Sequence, residues 1–452
     1  MKNKHIDSRD LTTGPIWKKL VVFAVPLLLS SLVQQLYNTV DLIFAGNLID
    51  SGASAAIGMS GMLITCLVGF FGGMSVGAGV VIARAFGRED YRALGAAIHS
   101  TVALCAAGSA LLLALGELLT PVYLNLVNTP AALLPMATAY LRIYFISMPA
   151  IIFYNLCSGI LRSLGDSRST LAAQVFGGLL NVAADWLFIA KLGAGVAGAA
   201  WATLISQTLS AAYVVYRLAR LEGPHALRLR QVRFDRGVLS ETVRIGVPAG
   251  VQALVITLSN VVAQYHINSL GPAAIAAFTA YFKVELIIYY PIFSLGQAMM
   301  TFAGQNLGAG RFDRVRRGMW ECVAVAVGCA AALSALCLAF GGTLFRAFFD
   351  DGEAIALGLR IIATIFPFYF VYAFLQIPGD AMRGLGESRL PMVIVTVNLC
   401  LVRTALLFLI VPRLADVRGV AMCYPISWAL TGGCMLACWM RRSARLGGEA
   451  RG

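Results

Sequence analysis

Residues 161–168 read Leu-Arg-Ser-Leu-Gly-Asp-Ser-Arg, and 221 residues further on residues 382–389 read Met-Arg-Gly-Leu-Gly-Glu-Ser-Arg. An offset of 221 or 222 residues also aligns Gly87 with Gly308, Pro26 with Pro248 and Asn38 with Asn260. Whatever architecture leads up to the first copy therefore recurs before the second.

Apolar segments long enough to cross about 30 Å of hydrocarbon lie near 17–46, 54–83, 93–118, 132–161, 169–190, 195–217, 238–268, 273–303, 315–341, 355–382, 390–411 and 418–441. The chain is 59% hydrophobic and 13% charged, far from the balance of a water-soluble domain. The expected fold class is an all-α integral membrane protein, with twelve transmembrane helices in two pseudo-symmetric six-helix bundles. Six helices separate the copies, so the repeats are parallel and a site between them is the default. The expected organisation is an N-terminal segment 1–16, an N-terminal lobe 17–217, a basic linker 218–237, a C-terminal lobe 238–441 and a tail 442–452.

Most of the 35 Lys and Arg fall in the two termini and in the loops after even-numbered helices. That bias predicts that both termini are cytoplasmic. The net charge of +13 is spread over short loops rather than gathered in one patch with stacking aromatics, which argues against nucleic acid. The ten Cys sit in apolar stretches without a CxxC, and read as small buried hydrophobes. The first fifteen residues are polar, and no signal peptide is expected.

An ionisable side chain inside a span is costly unless it is paired or faces a cavity. In the first half these residues are Asp41 and Asp185. Asp41 lies about five residues, ~8 Å, from the outer end of its helix, and Asp185 lies at a similar depth. Tyr37 and Asn38 flank Asp41 one turn away, Asn181 precedes Asp185 by one turn, and Tyr140 and Thr203 reach the same level from two further helices. Carboxyl groups in apolar surroundings favour the protonated form in general, and a carboxylate, amide and hydroxyl set also suits Na⁺. The residues leave the choice between H⁺ and Na⁺ open. In the second half the aligned positions are Ala263, Val402 and Leu406. A separate charged set, Lys283, Glu285 and Arg403, stands there instead, and pairing of Glu285 with Arg403 or Lys283 is the plain structural expectation. Asp380, near the end of its helix, is expected to be solvated.

The loops Leu161–Arg168 and Met382–Arg389, the runs Ala83–Asp90 and Gln305–Arg314, and the first helix Ala24–Gly46 together resemble the multidrug and toxic compound extrusion (MATE) family. The resemblance covers nearly the whole chain. It implies a prokaryotic plasma-membrane antiporter that exports drugs or other organic, often cationic, amphiphiles by alternating access, coupled to H⁺ or Na⁺. By that resemblance Tyr37, Asp41, Tyr140, Asn181, Asp185 and Thr203 fall at the first-half cation site, Na⁺ would contact Asp41, Asn181, Asp185 and Thr203, and Pro26 is the hinge. Gln34, Asn38, Asn260 and Glu285 are candidates for the substrate cavity. The expected surroundings are a lipid bilayer and small organic cations or drugs, with the chain a monomer lacking any cofactor beyond the coupling ion.

Two weaker signals are set aside. Gly73-Met74-Ser75-Val76-Gly77 matches a nucleophile elbow, but lies within a span where small residues permit close packing. No Gly-Lys dipeptide exists to build a P-loop. A lipid-linked oligosaccharide flippase of related architecture is the alternative transporter, and a membrane-embedded enzyme or receptor the alternative outside transport.

Overall fold

The computed structural model describes residues 10–48, 51–348, 351–414 and 416–449, and among them there is no strand. The first half comprises α1 (Ile16–Leu48), α2 (Ser51–Gly87), α3 (Tyr91–Leu126), α4 (Leu134–Ser163), α5 (Ser167–Asp185) and α6 (Gly195–Ala219). The second comprises α7 (Arg236–Asn268), α8 (Pro272–Gly308), α9 (Phe312–Ala339), the short α10 (Gly341–Arg346), α11 (Gly352–Ile365), α12 (Phe370–Gly384), α13 (Arg389–Val395), α14 (Arg403–Leu414) and α15 (Val417–Glu449).

Among the described residues ten helices are long and apolar enough to cross a bilayer, and α11 with α12, bent by 53° about a 3₁₀ turn at Phe366–Phe368, makes an eleventh. Pro367 in that turn cannot continue the hydrogen-bond ladder, which accounts for the bend. The 25-residue α6 is long enough at ~38 Å, but Ser206, Gln207 and Thr208 leave it less apolar. Each of the twelve expected segments is thus a helix or a run of helices. Two of those runs contain π-helical turns, at Trp186–Lys191 after α5 and at Thr396–Val402 between α13 and α14.

The repeat is reproduced bond for bond in its turns. After α4, Gly165 N–H donates to Arg162 O and Asp166 N–H to Leu161 O; after α12, Gly386 N–H donates to Arg383 O and Glu387 N–H to Met382 O. Gly165 and Gly386 adopt φ of 83° and 78°, the left-handed geometry that closes a helix end and that a side chain would strain.

Backbone packing divides the chain into two compact units, one containing Leu29–Gly250 and the other Asp10–Leu28 with Val251 onward. The divisions fall inside α1 and α7, not in the basic linker between the expected lobes, and local bonds explain why. In the second unit Leu11 N–H donates to Gln305 Oε1 (3.0 Å), Arg311 Nη1 to Thr12 O (2.7 Å) and Arg314 Nη1 to Gly14 O (3.0 Å). In the first unit the linker backbone is held on α3, where Arg228 N–H donates to His99 Nε2 (3.1 Å) and Asp235 N–H to Ser100 Oγ (2.6 Å). Beyond the linker, α7 is clamped to α2 by Arg84 and Glu241, 2.7 Å apart. A Cβ placed on Gly73 would meet Gly250 N at 2.1 Å, and one on Gly77 would meet Thr242 O at 2.3 Å. The elbow-like motif is therefore a backbone-to-backbone helix crossing. All ten Cys are free thiols, and Cys434, expected to be buried, is exposed on α15.

Candidate functional site

In the first unit α1 and α5 approach closely because α5 presents a glycine. A Cβ on Gly178 would lie 3.3 Å from Val33 and 3.4 Å from Tyr37. One and two turns further along, Asn181 (2% exposed) and Asp185 (0%) point into the same interior. The carboxyl groups of Asp185 and Asp41 stand side by side, and Tyr140 on α4 lies next to both. The meeting of Tyr37, Asp41, Tyr140 and Asp185 follows the sequence expectation.

The site is short of donors. Asp41 Oδ1, Asn181 Oδ1 and both carboxyl oxygens of Asp185 are sealed from the surface and make no hydrogen bond among the described residues. An unsatisfied buried acceptor costs about 1–3 kcal/mol, and more when it is charged. Two carboxylates sharing one apolar pocket are stable only if a proton or a cation joins them. The Thr203 hydroxyl donates to Ala199 O at 3.0 Å, which leaves its oxygen lone pairs able to accept.

The surroundings include residues that the sequence reading passed over. Tyr144 packs on Tyr140 with ring centroids 5.9 Å apart. Tyr154 donates to Gln174 Oε1, and Gln174 and Gln34 both reach the Tyr37 hydroxyl. Tyr37 is thus the end of a polar chain across α1, α4 and α5. Its only sequence signal was the placement of a glutamine and two tyrosines inside apolar helices. Asn38 is exposed. Pro26 is buried within a continuous α1, where it removes the bond that Val22 O would accept from residue 26.

The second unit holds Glu285 and Asn260, and here two expectations are corrected. Among the described residues Glu285 forms no ion pair within 4 Å; its Oε1 accepts from Tyr369 OH at 3.0 Å. Arg403, 4% exposed, is held by neutral groups instead: it donates to Ser259 Oγ (3.1 Å from Nε) and Asn260 Oδ1 (3.0 Å), and stacks on Tyr424 at 5.3 Å. Asp380, expected to be solvated, is 4% exposed. It is paired with Arg383 and receives a 2.6 Å hydrogen bond from Gln376 Nε2. Room for it comes from α8, where a Cβ on Gly296 would stand 2.1 Å from Asp380 Oδ2.

With this geometry established, similarity to known proteins can be placed. The MatE family profile matches residues 26–187 and 248–409, one match in each half of the repeat. The probable multidrug resistance protein YpnP of Bacillus subtilis is 30% identical over 362 residues, covering 79% of this chain and 81% of that protein. A protein named FAD transporter from Shewanella oneidensis is 25% identical over 97% of this chain and 96% of its own length. Among solved structures, an outward-facing multidrug resistance MATE family transporter of the MOP superfamily superposes with a TM-score of 0.92 at 21% identity, covering 99% of this chain and all of that one. At that identity the superposition speaks for the fold alone.

Proposed function

The chain belongs to the MatE family, a multi-pass membrane protein whose relatives are named transporters, and from that footing we propose that it is a cation-coupled antiporter exporting organic amphiphiles across a prokaryotic plasma membrane. The observation that carries the reading is the set of four donor-less buried oxygens on Asp41, Asn181 and Asp185. H⁺ or Na⁺ entering there relieves the repulsion between the carboxylates, and its departure restores that repulsion. If one transport state holds the cation more tightly than the other, loading biases the equilibrium between states by the difference in affinity. Pro26 weakens the helix that carries Asp41, so α1 is the element best placed to respond. The termini are assigned to the cytoplasm from the distribution of Lys and Arg.

The deciding experiment is efflux of ethidium from proteoliposomes with the H⁺ and Na⁺ gradients imposed separately. Export driven by one gradient and abolished in Asp41→Asn and Asp185→Asn supports the reading. Equal export by wild type and both variants, at equal protein levels, sinks it.

A second reading, export of an anionic aromatic cargo, has one observation in its favour. Arg403 is buried among neutral partners over a tyrosine ring, an arrangement that could hold a carboxylate or phosphate, and one relative is named for FAD. Substituting an anionic dye for ethidium in the same vesicles tests it.

A further inference from the structure

In the second unit α12 carries polar side chains at Tyr369, Tyr372, Gln376, Asp380 and Arg383. The spacings of three and four residues place them on one helix face, over ~21 Å at 1.5 Å per residue. The facing helix α8 presents Tyr281, Glu285, Tyr289 and the cleared position Gly296. The two stripes meet. Tyr369 OH donates to Glu285, Tyr289 and Tyr372 pack with ring centroids 5.8 Å apart, Tyr372 OH donates to Gln376 Oε1 at 3.3 Å, and Gln376 Nε2 donates to Asp380 at 2.6 Å. Arg383 closes the file, bonded to Asp380 and, at 2.9 Å, to Gln252 Oε1.

A polar seam between two spanning helices is expensive, and the scaffold does not require this one. The first copy of the repeat has Ile64 and Val68 where the second has Glu285 and Tyr289, and Met148 and Ile151 in place of Tyr369 and Tyr372. At the seam's inner end Glu285 Oε1 accepts from Tyr369 OH, and the hydroxyl of Tyr281, a residue 0% exposed, lies beside the same carboxyl group.

We propose that Glu285 is a second proton-exchange site, separate from the Asp41 and Asp185 pair and reached along the α8–α12 seam from the end of α12 that carries Arg383. The proposal rests on the antiporter reading and adds to it a place where one more proton is carried per cycle. The charged and titratable groups around Glu285 are Tyr281 and Tyr289 of α8, Tyr369 and Tyr372 of α12, Arg403 of α14 and Tyr424 of α15. The positive charge of the Arg403 guanidinium beside Glu285 opposes a metal ion, so the exchangeable cation is assigned as a proton. On protonation an O–H bond forms on the Glu285 carboxyl group; on release that proton passes to water in the seam. The step between Tyr369 and Tyr372, a ring contact of 5.8 Å, and the step past the Gln376 amide, which cannot itself hand a proton on, need bridging water, which suits a site with several polar partners.

The test uses the full chain in lipid. Infrared difference spectra between acidic and alkaline buffer should contain a protonated-carboxyl band that disappears in Glu285→Gln and persists in the Asp41→Asn, Asp185→Asn double variant. Proteoliposomes should move one proton fewer per ethidium when Glu285 is replaced by Gln. Tyr372→Phe, which removes only a hydroxyl and leaves the carboxyl in place, should keep the band and slow its response to a pH jump severalfold. An unchanged spectrum and an unchanged proton count in Glu285→Gln overturn the proposal. If Glu285→Gln does not fold, an unslowed Tyr372→Phe does the same. Failure of the wild type to export ethidium on either gradient would instead sink the antiporter reading, with the infrared band still deciding Glu285.

Discussion

Asp41 on α1 and Asp185 on α5 set their carboxyl groups side by side in a pocket that supplies no donor to either Oδ1 atom. Folding has brought together two groups that repel when both are ionised, a repulsion that the proposed coupling cation would relieve. An amide at either position provides the missing donor permanently. Asp185→Asn is therefore expected to raise the unfolding free energy by about 1–3 kcal/mol while abolishing coupled export. Thermal unfolding in detergent, followed beside vesicle efflux, checks both halves; a destabilised Asp185→Asn would contradict the account.

The crossing of α2 and α7 leaves no space for a methyl group at Gly73 or Gly77. The neighbouring atoms are backbone, so they cannot swing aside. Gly73→Ala should cost about 1–3 kcal/mol, the usual range for overpacking. Gly72→Ala, with open space around its Cβ, should be close to neutral. Comparing the two melting temperatures separates a steric effect from a general intolerance of substitution.

Asp380 neutralises Arg383 in a buried setting. Asp380→Ala strands the guanidinium and is expected to destabilise by about 3–5 kcal/mol. Adding Arg383→Met to Asp380→Ala should recover much of that loss. A double-mutant cycle on unfolding midpoints measures the coupling, and additive effects would show that the pair contributes nothing.

Ser100 serves two backbone groups of the linker, accepting from Asp235 N–H and donating to Arg233 O at 3.2 Å. Ser100→Ala removes both bonds, about 1 kcal/mol each. The segment carries Arg228, Arg230, Arg233 and Arg236, so trypsin should cut it faster in the variant. An unchanged digestion rate would mean that His99 alone holds the linker.

The twelve spans, the repeat and the first-unit carboxylates were legible because each has a one-dimensional signature: length of apolar run, fixed offset, and a rare acidic residue in hydrocarbon. Asp380 was misjudged because distance from a helix end was taken as a measure of solvation, while Gly296 and Arg383 enclose it. Arg403 and Glu285 were expected to pair because they share a depth in the sequence reading, but depth says nothing of azimuth, and the azimuth of Arg403 depends on a π turn at Thr396–Val402 that has no sequence mark. The α12 polar stripe was present in the spacing all along, hidden because tyrosine and glutamine do not stand out among apolar residues as charges do. The division of the units inside α1 and α7 depends on backbone bonds from Leu11, Arg228 and Asp235, which composition cannot reveal.

The widened turn Trp186–Lys191 begins at the residue after Asp185. Such a turn stores one surplus residue in the helical winding, and the surplus can pass along the helix without melting it. Each step re-aims the side chains it crosses by about 100°, the angle between successive residues of a 3.6-residue turn. Asp185 therefore sits at the edge of a slack coil. A single shift of that slack would unclasp it from Asp41 while both ends of the span stay anchored, with no tilting of the whole helix.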